Sequence, residues 1–408
     1  MYRIGLVCRI AWPVKGGLTW HALRLGQEIK KHGFDLEIIT RFTKRDIQGN
    51  DYFWQNEESR TFNNEGVRTH VIGLSNIERV ILWPVSRLRT RKHLRPLARE
   101  IVKYSLGIKF KKLLQHYDIV HYDGGGWELM SYAALRASRK LKKKFIVQPS
   151  IHIGQWGCEK IDHDLFKRAD AMFVHSNIEK QYLVEEVGIL EKKIYVVGNG
   201  IDDVRGGNGY NFKKQNRING IMNLFIGRRS HDKGYYLVHE AFEEISKRHP
   251  ETWMVIIGPL QNGKKQYIPN QNHPGKERII ELDYVDDQTR KDAYDACDIF
   301  VQPSIGESFG LVFVEAALCG KPVMGRKLDI LEELLGQYNA AVLIGKKNKN
   351  GIVKLEKEEL VKAWEELLNK QYLRIEIGER ARLAAEKHLW KSVIYNFKNA
   401  YIDVIGNA

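Results

Sequence analysis

Cysteine is scarce, with four in 408 residues at Cys8, Cys158, Cys297 and Cys319. They lack the paired spacing of a zinc site or a disulfide framework, so neither is expected to organise the fold, and the pattern suits a reducing compartment. Long apolar runs are missing as well. No stretch approaches the roughly 18 residues that a membrane-spanning helix needs. The first apolar run carries Arg3 and Arg9 inside it and not ahead of it, so no signal peptide is expected and the location reads as cytoplasmic. The aromatic signature of an RNA-recognition module is absent, and no nucleic acid partner is expected. A G-x-G-x-x-G dinucleotide fingerprint is absent too. The triplet Asp162-His163-Asp164 imitates a metal-binding D-x-D, but it precedes a helix-like stretch and reads as helix capping; no metal site is expected.

Acidic residues are in deficit, 50 against 65 basic, which leaves a formal charge of +15 and calls for an anionic partner. Much of the excess is local. Arg79 to Lys112 contains eleven Lys or Arg and one acid, Glu100, interleaved with Ile81, Leu82, Trp83, Val85, Leu88 and Leu94. Such a mixture is either a solvated basic face or a segment that lies on an anionic membrane surface. The second reading gives a peripheral protein on the inner face of a membrane.

An apolar content of 43% with 28% charged residues is that of a globular enzyme, and the length suggests two or three domains. Strand-like and helix-like segments alternate through both halves. In the first, strand Tyr2–Cys8 leads through Lys15-Gly16-Gly17 to a helix over Thr19–His32 and a strand over Leu36–Thr40. A basic, less regular region follows to His116. Strand Asp118–Asp123 then ends in polar residues before Gly124-Gly125-Gly126-Trp127, with a helix predicted over Glu128–Leu141. Strand Lys144–Gln148 leads to Ser150 and His152. The stretch from Asp203 to Asn219, rich in Gly, Asn and Lys, reads as an exposed connection. Strands Asn223–Ile226 and Trp253–Ile257 follow, the latter running into a polar loop to Lys276. The pattern predicts an α/β protein of two doubly wound, Rossmann-like domains facing across a cleft. Their bounds are 1–200 and 201–385, followed by a C-terminal helix over 386–408.

Two constellations carry the chemistry. From Val301 a short strand ends at Pro303, a loop carries Glu307, Ser308 and Phe309, and a helix containing Glu315 is predicted from Phe309 to Cys319. The amides of Gly310 and Leu311 at its start suit an anion, and the two carboxylates can accept hydrogen bonds from hydroxyls. Anion and hydroxyls together describe a nucleotide sugar. In Gly227-Arg228-x4-Lys233-Gly234, a forked guanidinium and a compact ammonium share one loop at a strand's carboxyl end, a chemistry that fits a diphosphate.

Glu307 through Glu315, with the inner Phe-Gly, resembles the E-x7-E pattern of the retaining nucleotide-sugar glycosyltransferases of family 4, which have the GT-B fold. The G-R-x4-K-G loop matches the same family in order, as do Ala169-Asp170 through Ser176 and Gly198-Asn199-Gly200-Ile201-Asp202. The resemblance implies transfer of a sugar, with retention, from a nucleoside diphosphate donor (a UDP-sugar favoured) to a hydroxyl of a glycan or lipid-linked acceptor, without metal or other cofactor. It implies that 1–200 binds the acceptor and 201–385 the nucleotide sugar, with the helix over 386–408 packing back on the first domain. It also implies that Arg228 and Lys233 bind the diphosphate, Glu307 the sugar hydroxyls and Glu315 the ribose. Gly16 and Gly17 would close over the donor phosphates, and His152 stands where the family has Thr-x-His. Asp123 replaces the second His of the family's His-x-His, and Gly325 to Glu332 replaces its Gly-Gly-x-Pro-Glu turn. These departures keep open an epimerase or phosphorylase on the same architecture, and a catalytically silent relative that binds lipid or nucleic acid.

Overall fold

The structure is a computed structural model that describes residues 1–44, 51–261, 275–348 and 351–406. It separates into two compact units, Met1–Gly200 with Trp390–Ala408, and Ile201–Leu389.

The first unit is built on an eight-stranded sheet in the order β3-β4-β2-β1-β5-β6-β7-β8. In chain order these are β1 (Tyr2–Ile10), β2 (Phe34–Phe42), β3 (Arg60–Asn64), β4 (Val67–Val71), β5 (Ile119–Asp123), β6 (Lys144–Gln148), β7 (Ala171–Val174) and β8 (Ile194–Val196). All pairs are parallel except the β3–β4 hairpin. Side chains alternate between two cores, as a strand buried on both faces requires. On β1, Val7 joins the face covered by α4 (Arg95–Leu114) and α5 (Met130–Lys140), while Ile4, Leu6 and Cys8 join the face covered by α1 (Gly17–Lys30) and the C-terminal α15 (Trp390–Gly406). The intervening helices are α2 (Asn76–Leu82), α3 (Val85–Thr90), α6 (Lys160–Arg168) and α7 (Asn177–Tyr182).

Helix α15 belongs to the first unit because its aromatic stripe is part of that core. Phe397 and Tyr401 are fully buried, and the Tyr401 hydroxyl is hydrogen-bonded to Nδ1 of His121 on β5 at 2.6 Å. Burying an aromatic side chain of this size is worth roughly 1.5–3 kcal/mol.

The second unit holds a parallel six-stranded sheet in the order β11-β10-β9-β12-β13-β14. Its strands are β9 (Ile221–Ile226), β10 (Thr252–Ile257), β11 (Ile279–Leu282), β12 (Ile299–Gln302), β13 (Val323–Arg326) and β14 (Ala341–Ile344), followed by a small β15 (Lys346–Lys347) and β16 (Val353–Lys354) pair. Its helices are α8 (Gly209–Gln215), α9 (Tyr235–Arg248), α10 (Asp287–Ala296), α11 (Leu311–Leu318), α12 (Asp329–Leu334), α13 (Lys357–Asn369) and α14 (Gln371–Glu386).

Several local expectations need correction. The stretch 203–219 is largely exposed, but it is not a connection between units: it lies within the second unit and contains α8. Its Phe212 and Ile218 are buried, and Gly209 lies so close to α10 that a Cβ there would sit 2.5 Å from the Ala296 amide nitrogen. Composition misled because glycine here serves close packing and not flexibility. The basic region before His116 is regular: it contains the β3–β4 hairpin and the twenty-residue α4. Helix α5 starts at Met130, after a short turn that leaves Leu129 left-handed at φ 58°. In the Asp162 triplet, Asp162 completes a capping box with Glu159 at the start of α6 and accepts the Trp127 amide at 2.9 Å, so it serves the backbone. Most of the polar loop before Lys276, residues 262–274, lies outside the described residues.

Three histidines of the first unit, His21, His121 and His175, are buried. His21 of α1 meets Asn199 Oδ1 at 2.7 Å and Gln148 at 3.0 Å, and His175 meets Ser150 Oγ at 2.9 Å and the Gly198 carbonyl at 3.1 Å. Burial lowers His21 and His121 to about 3 and His175 to about 4. In the unfolded chain each titrates near 6.5. Below that pH the unfolded state binds protons that the folded state refuses, so stability is lost as pH falls from about 6.5 towards 4. The expected slope is up to ~4 kcal/mol per pH unit for three protons. Denaturant titrations between pH 7 and 4.5 check this, and His21→Gln should flatten the slope by roughly one proton; equal stability at pH 7 and 4.5 would contradict it.

Candidate active site

In the second unit the predicted phosphate loop leaves the carboxyl end of β9 and enters α9 at Gly234. The Asp232 carbonyl accepts the Ile305 amide at 2.8 Å, which ties this loop to the one after β12. That second loop carries Glu307. The Lys233 ammonium meets Glu307 Oε1 at 2.7 Å, with 18% and 9% of the two side chains exposed. Gly310 caps α11 in the left-handed region at φ 83°, and a Cβ there would lie 3.8 Å from Glu307 Cγ and 3.2 Å from Leu331 and Phe313. A side chain at this corner would be strained and crowded, so glycine lets the chain turn and aim the first amides of α11 outward. Lys233, Glu307 and the head of α11 are thus one cluster, although 74 residues separate the two charged side chains.

Arg228 stands on the exposed rim of the same loop, paired with Asp232 at 3.0 Å. Phe309 is buried with its ring edge-on to His388, so it supports the loop from below. Ser308 is half-buried beside it. Glu315 is buried on α11, its Oε1 accepting from Arg290 at 2.7 Å and its Oε2 from the Tyr294 hydroxyl at 2.8 Å, both on α10.

In the first unit the nominated residues fall at strand ends and helix starts. Gly16 and Gly17 are exposed at the start of α1, where Thr19 Oγ1 closes the turn on the Val14 and Gly16 carbonyls at 2.6 and 2.9 Å. Asp123 ends β5, 6% exposed, and its Oδ1 has no hydrogen-bond partner among the described residues. Burial first, and then the charges of Glu128 and Glu179, raise its carboxyl to about 8. His152 is half-buried in the loop after β6, where its amide pairs with the Trp156 carbonyl at 3.0 Å.

Two groups escape sequence reasoning. One is the α10 pair, Arg290 and Tyr294. The other surrounds Glu281 on β11, which accepts Arg229 at 2.9 Å, His239 at 3.1 Å and the Tyr235 hydroxyl; Arg229 also pairs with Asp283. Burial raises the Glu281 carboxyl, but the hydrogen bonds from His239 and Tyr235, with the charges of His239 and Arg229, outweigh it and hold it down to about 2. Arg229 directly follows Arg228 in the sequence, yet it points into the sheet edge at 7% exposure while Arg228 faces solvent.

A two-unit α/β chain with a cation-bearing loop facing a carboxylate and a helix start is the architecture of GT-B glycosyltransferases. The model of glycosyl transferases group 1 matches residues 210–384, that of glycosyltransferase family 4 matches residues 15–205, and the chain belongs to this family. Among its relatives, mannosylfructose-phosphate synthase of Agrobacterium fabrum is 28% identical over 41% of this chain and 40% of that protein. The match therefore spans less than half the length of that relative. Phosphatidyl-myo-inositol mannosyltransferase of Mycolicibacterium smegmatis is 21% identical over 99% of this chain and 94% of that protein. Anabaena HepE, solved in complex with UDP-glucose, shares the fold with a TM-score of 0.73 at 15% identity, covering 100% of both chains.

The buried guanidinium of Arg229 gives a stability prediction. Arg229→Met leaves Glu281 without its guanidinium partner and should cost about 3–5 kcal/mol, read as a lowered denaturation midpoint. A loss below about 1 kcal/mol would show that His239 and Tyr235 suffice.

Proposed function

We propose that the protein is a retaining, metal-independent hexosyltransferase that moves a sugar from a nucleoside diphosphate sugar to a hydroxyl of a glycan or lipid-linked acceptor in polysaccharide or glycolipid biosynthesis. The observation that carries this reading is the Lys233–Glu307 pair at the head of α11. Without donor, the two side chains neutralise each other. With donor, the ammonium turns to the diphosphate and the carboxylate accepts from sugar hydroxyls, each gaining a charge-assisted bond in place of the one released. Arg228 and the first amides of α11 add positive potential where the leaving group accumulates negative charge. The bond from the anomeric carbon to the phosphate oxygen breaks, and the bond to the acceptor oxygen forms on the same face. The acceptor's proton passes to the departing diphosphate. Glu315 takes the ribose. Gly16 and Gly17 are assigned to the donor phosphates, His152 to the donor, and Asp123 to the reacting sugar. A UDP-sugar is favoured, in keeping with the UDP-glucose bound by HepE.

A lipid-linked acceptor is supported by the surface of α2 and α4. Ile77, Val80, Ile81 and Trp83 are 72%, 74%, 45% and 54% exposed, and on α4 Leu97, Tyr104 and Ile108 form a stripe at helical spacing. A shallow pocket of about 350 Å³ among Trp54, Asn76, Arg79, Val80 and Trp83 opens on the α2 side, with Arg87 over the Trp83 ring at 5.2 Å. Apolar side chains edged by arginine suit the headgroup boundary of an anionic membrane, such as the cytoplasmic leaflet. The match to a phosphatidyl-myo-inositol mannosyltransferase points the same way. Not all of the basic stretch can serve this purpose. Arg89 is buried over the Phe53 and Trp127 rings, Arg95 pairs with Glu159, Arg99 with Asp164 and Lys109 with Glu78.

Two measurements test these readings. A panel of UDP-, GDP- and ADP-sugars, incubated without acceptor or added metal, should show slow release of one nucleoside diphosphate, and Lys233→Ala and Glu307→Ala should reduce it at least tenfold; release unaffected by either variant counts against the site. Sedimentation with vesicles of mixed anionic and zwitterionic phospholipid should show binding that Val80→Glu with Ile81→Glu weakens about tenfold, while unchanged binding removes the membrane reading.

A further inference from the structure

Glu315 is buried, and both of its oxygens already have a donor. Oε1 accepts from one terminal nitrogen of Arg290 at 2.7 Å, and Oε2 from the Tyr294 hydroxyl at 2.8 Å. The other terminal nitrogen of Arg290 meets Asp287 Oδ1 at 3.2 Å. Residues 287, 290 and 294 follow one another at helical spacing along a single face of α10.

Two features of this arrangement exceed what helix packing requires. First, α10 and α11 already join through apolar contact, since Ala293, Tyr294 and Ala296 share a core with Val314, Ala317 and Leu318. Burying a charged pair there adds desolvation cost without being needed to hold the helices together. Second, the donors are divided between the two oxygens. A carboxylate offers about four lone-pair sites. Arg290 and Tyr294 occupy one on each oxygen, which leaves acceptor capacity on both. Two oxygens of a fixed carboxylate, each able to accept once more, match the two adjacent O–H donors of a cis-diol.

We propose that Arg290, assisted by Tyr294, is a positioning residue that fixes Glu315 as a two-oxygen acceptor for the ribose cis-diol of the nucleotide, so that discrimination between ribose and deoxyribose runs through Arg290. This rests on the assignment of Glu315 to the ribose made above. The forked guanidinium sets the plane of the carboxylate by bridging it to Asp287, which a flexible ammonium cannot do equally well. The neighbouring Glu315 charge raises Arg290 further above its ordinary value, so the guanidinium stays charged.

The test is equilibrium binding, which needs neither the acceptor nor turnover. Affinities for UDP, GDP and ADP are measured against their 2′-deoxy counterparts in wild type, Arg290→Met, Arg290→Lys and Tyr294→Phe. Wild type should prefer one ribonucleotide by about tenfold or more over its deoxy form, the usual range for a hydrogen bond to a charged group. In Arg290→Met the preference should fall to about threefold or less, with Arg290→Lys between the two. A merely structural role would weaken ribo and deoxy forms equally and leave the ratio unchanged, and that result overturns the inference. If Arg290→Met does not fold, Tyr294→Phe carries the same comparison, and an unchanged ratio there overturns it too. Binding in wild type without preference for ribose would remove Glu315 from the ribose and the inference with it. No binding of any nucleoside diphosphate would instead overturn the donor-site reading on which both stand.

Discussion

The second unit depends on how it accommodates charge at the carboxyl ends of parallel strands. Strands that all run one way present their ends, and the starts of the following helices, on one side of the sheet. Into that side this chain places Glu281, Glu307 and Glu315, and each meets a cation there: Arg229, Lys233 and Arg290 respectively. An isolated buried carboxylate is costly, so the three pairs constrain which loops can lie together. The loop after β9 has to meet the loop after β12, and α10 has to lie against α11.

The three pairs differ in how many donors hold the carboxylate. Glu281 is held by an arginine, a histidine and a tyrosine, and that carboxylate belongs to the frame. Glu315 is held on both oxygens yet keeps acceptor capacity, which suits a fixed docking point. Glu307 has a single ammonium on one oxygen, beside a helix start that itself attracts an anion. Of the three carboxylates it is the one held by the fewest donors. In the first unit Glu28, Glu37, Glu57 and Glu128 likewise meet arginines, but Asp123 at the end of the central strand β5 is pushed up by burial and by neighbouring acids instead of being drawn down by a cation.

Much of the candidate site's placement was legible in the sequence because its motifs are local. The spacing within Gly227–Gly234 and between Glu307 and Glu315 is fixed by one loop and one helix, and the alternation of apolar runs places both at strand ends. The resemblance to family 4 agrees with the family models and the GT-B neighbours. What was not legible involves partners from another element. Nothing near Glu315 in the chain announces Arg290 or Tyr294, and Arg229 looks like a second copy of Arg228 until the sheet edge takes one inward and leaves the other in solvent. The basic stretch misleads for the same reason, since its charge is counted along the chain whereas Glu78, Glu159 and Asp164 neutralise it across space.

By itself the sequence determined the class of fold, the alternation of strand and helix outside the basic region before His116 and the stretch 203–219, and the residue types at the strand ends it located, because periodicity, glycine placement and short motifs act over a few residues. The tertiary structure alone decided which charges are free and which are held, that Gly207 and Gly209 are packing surfaces and not a flexible connection, and which apolar side chains of α2 and α4 stay outside. These depend on which elements come together, and burial and ion pairing are properties of that meeting, not of any stretch of chain taken singly.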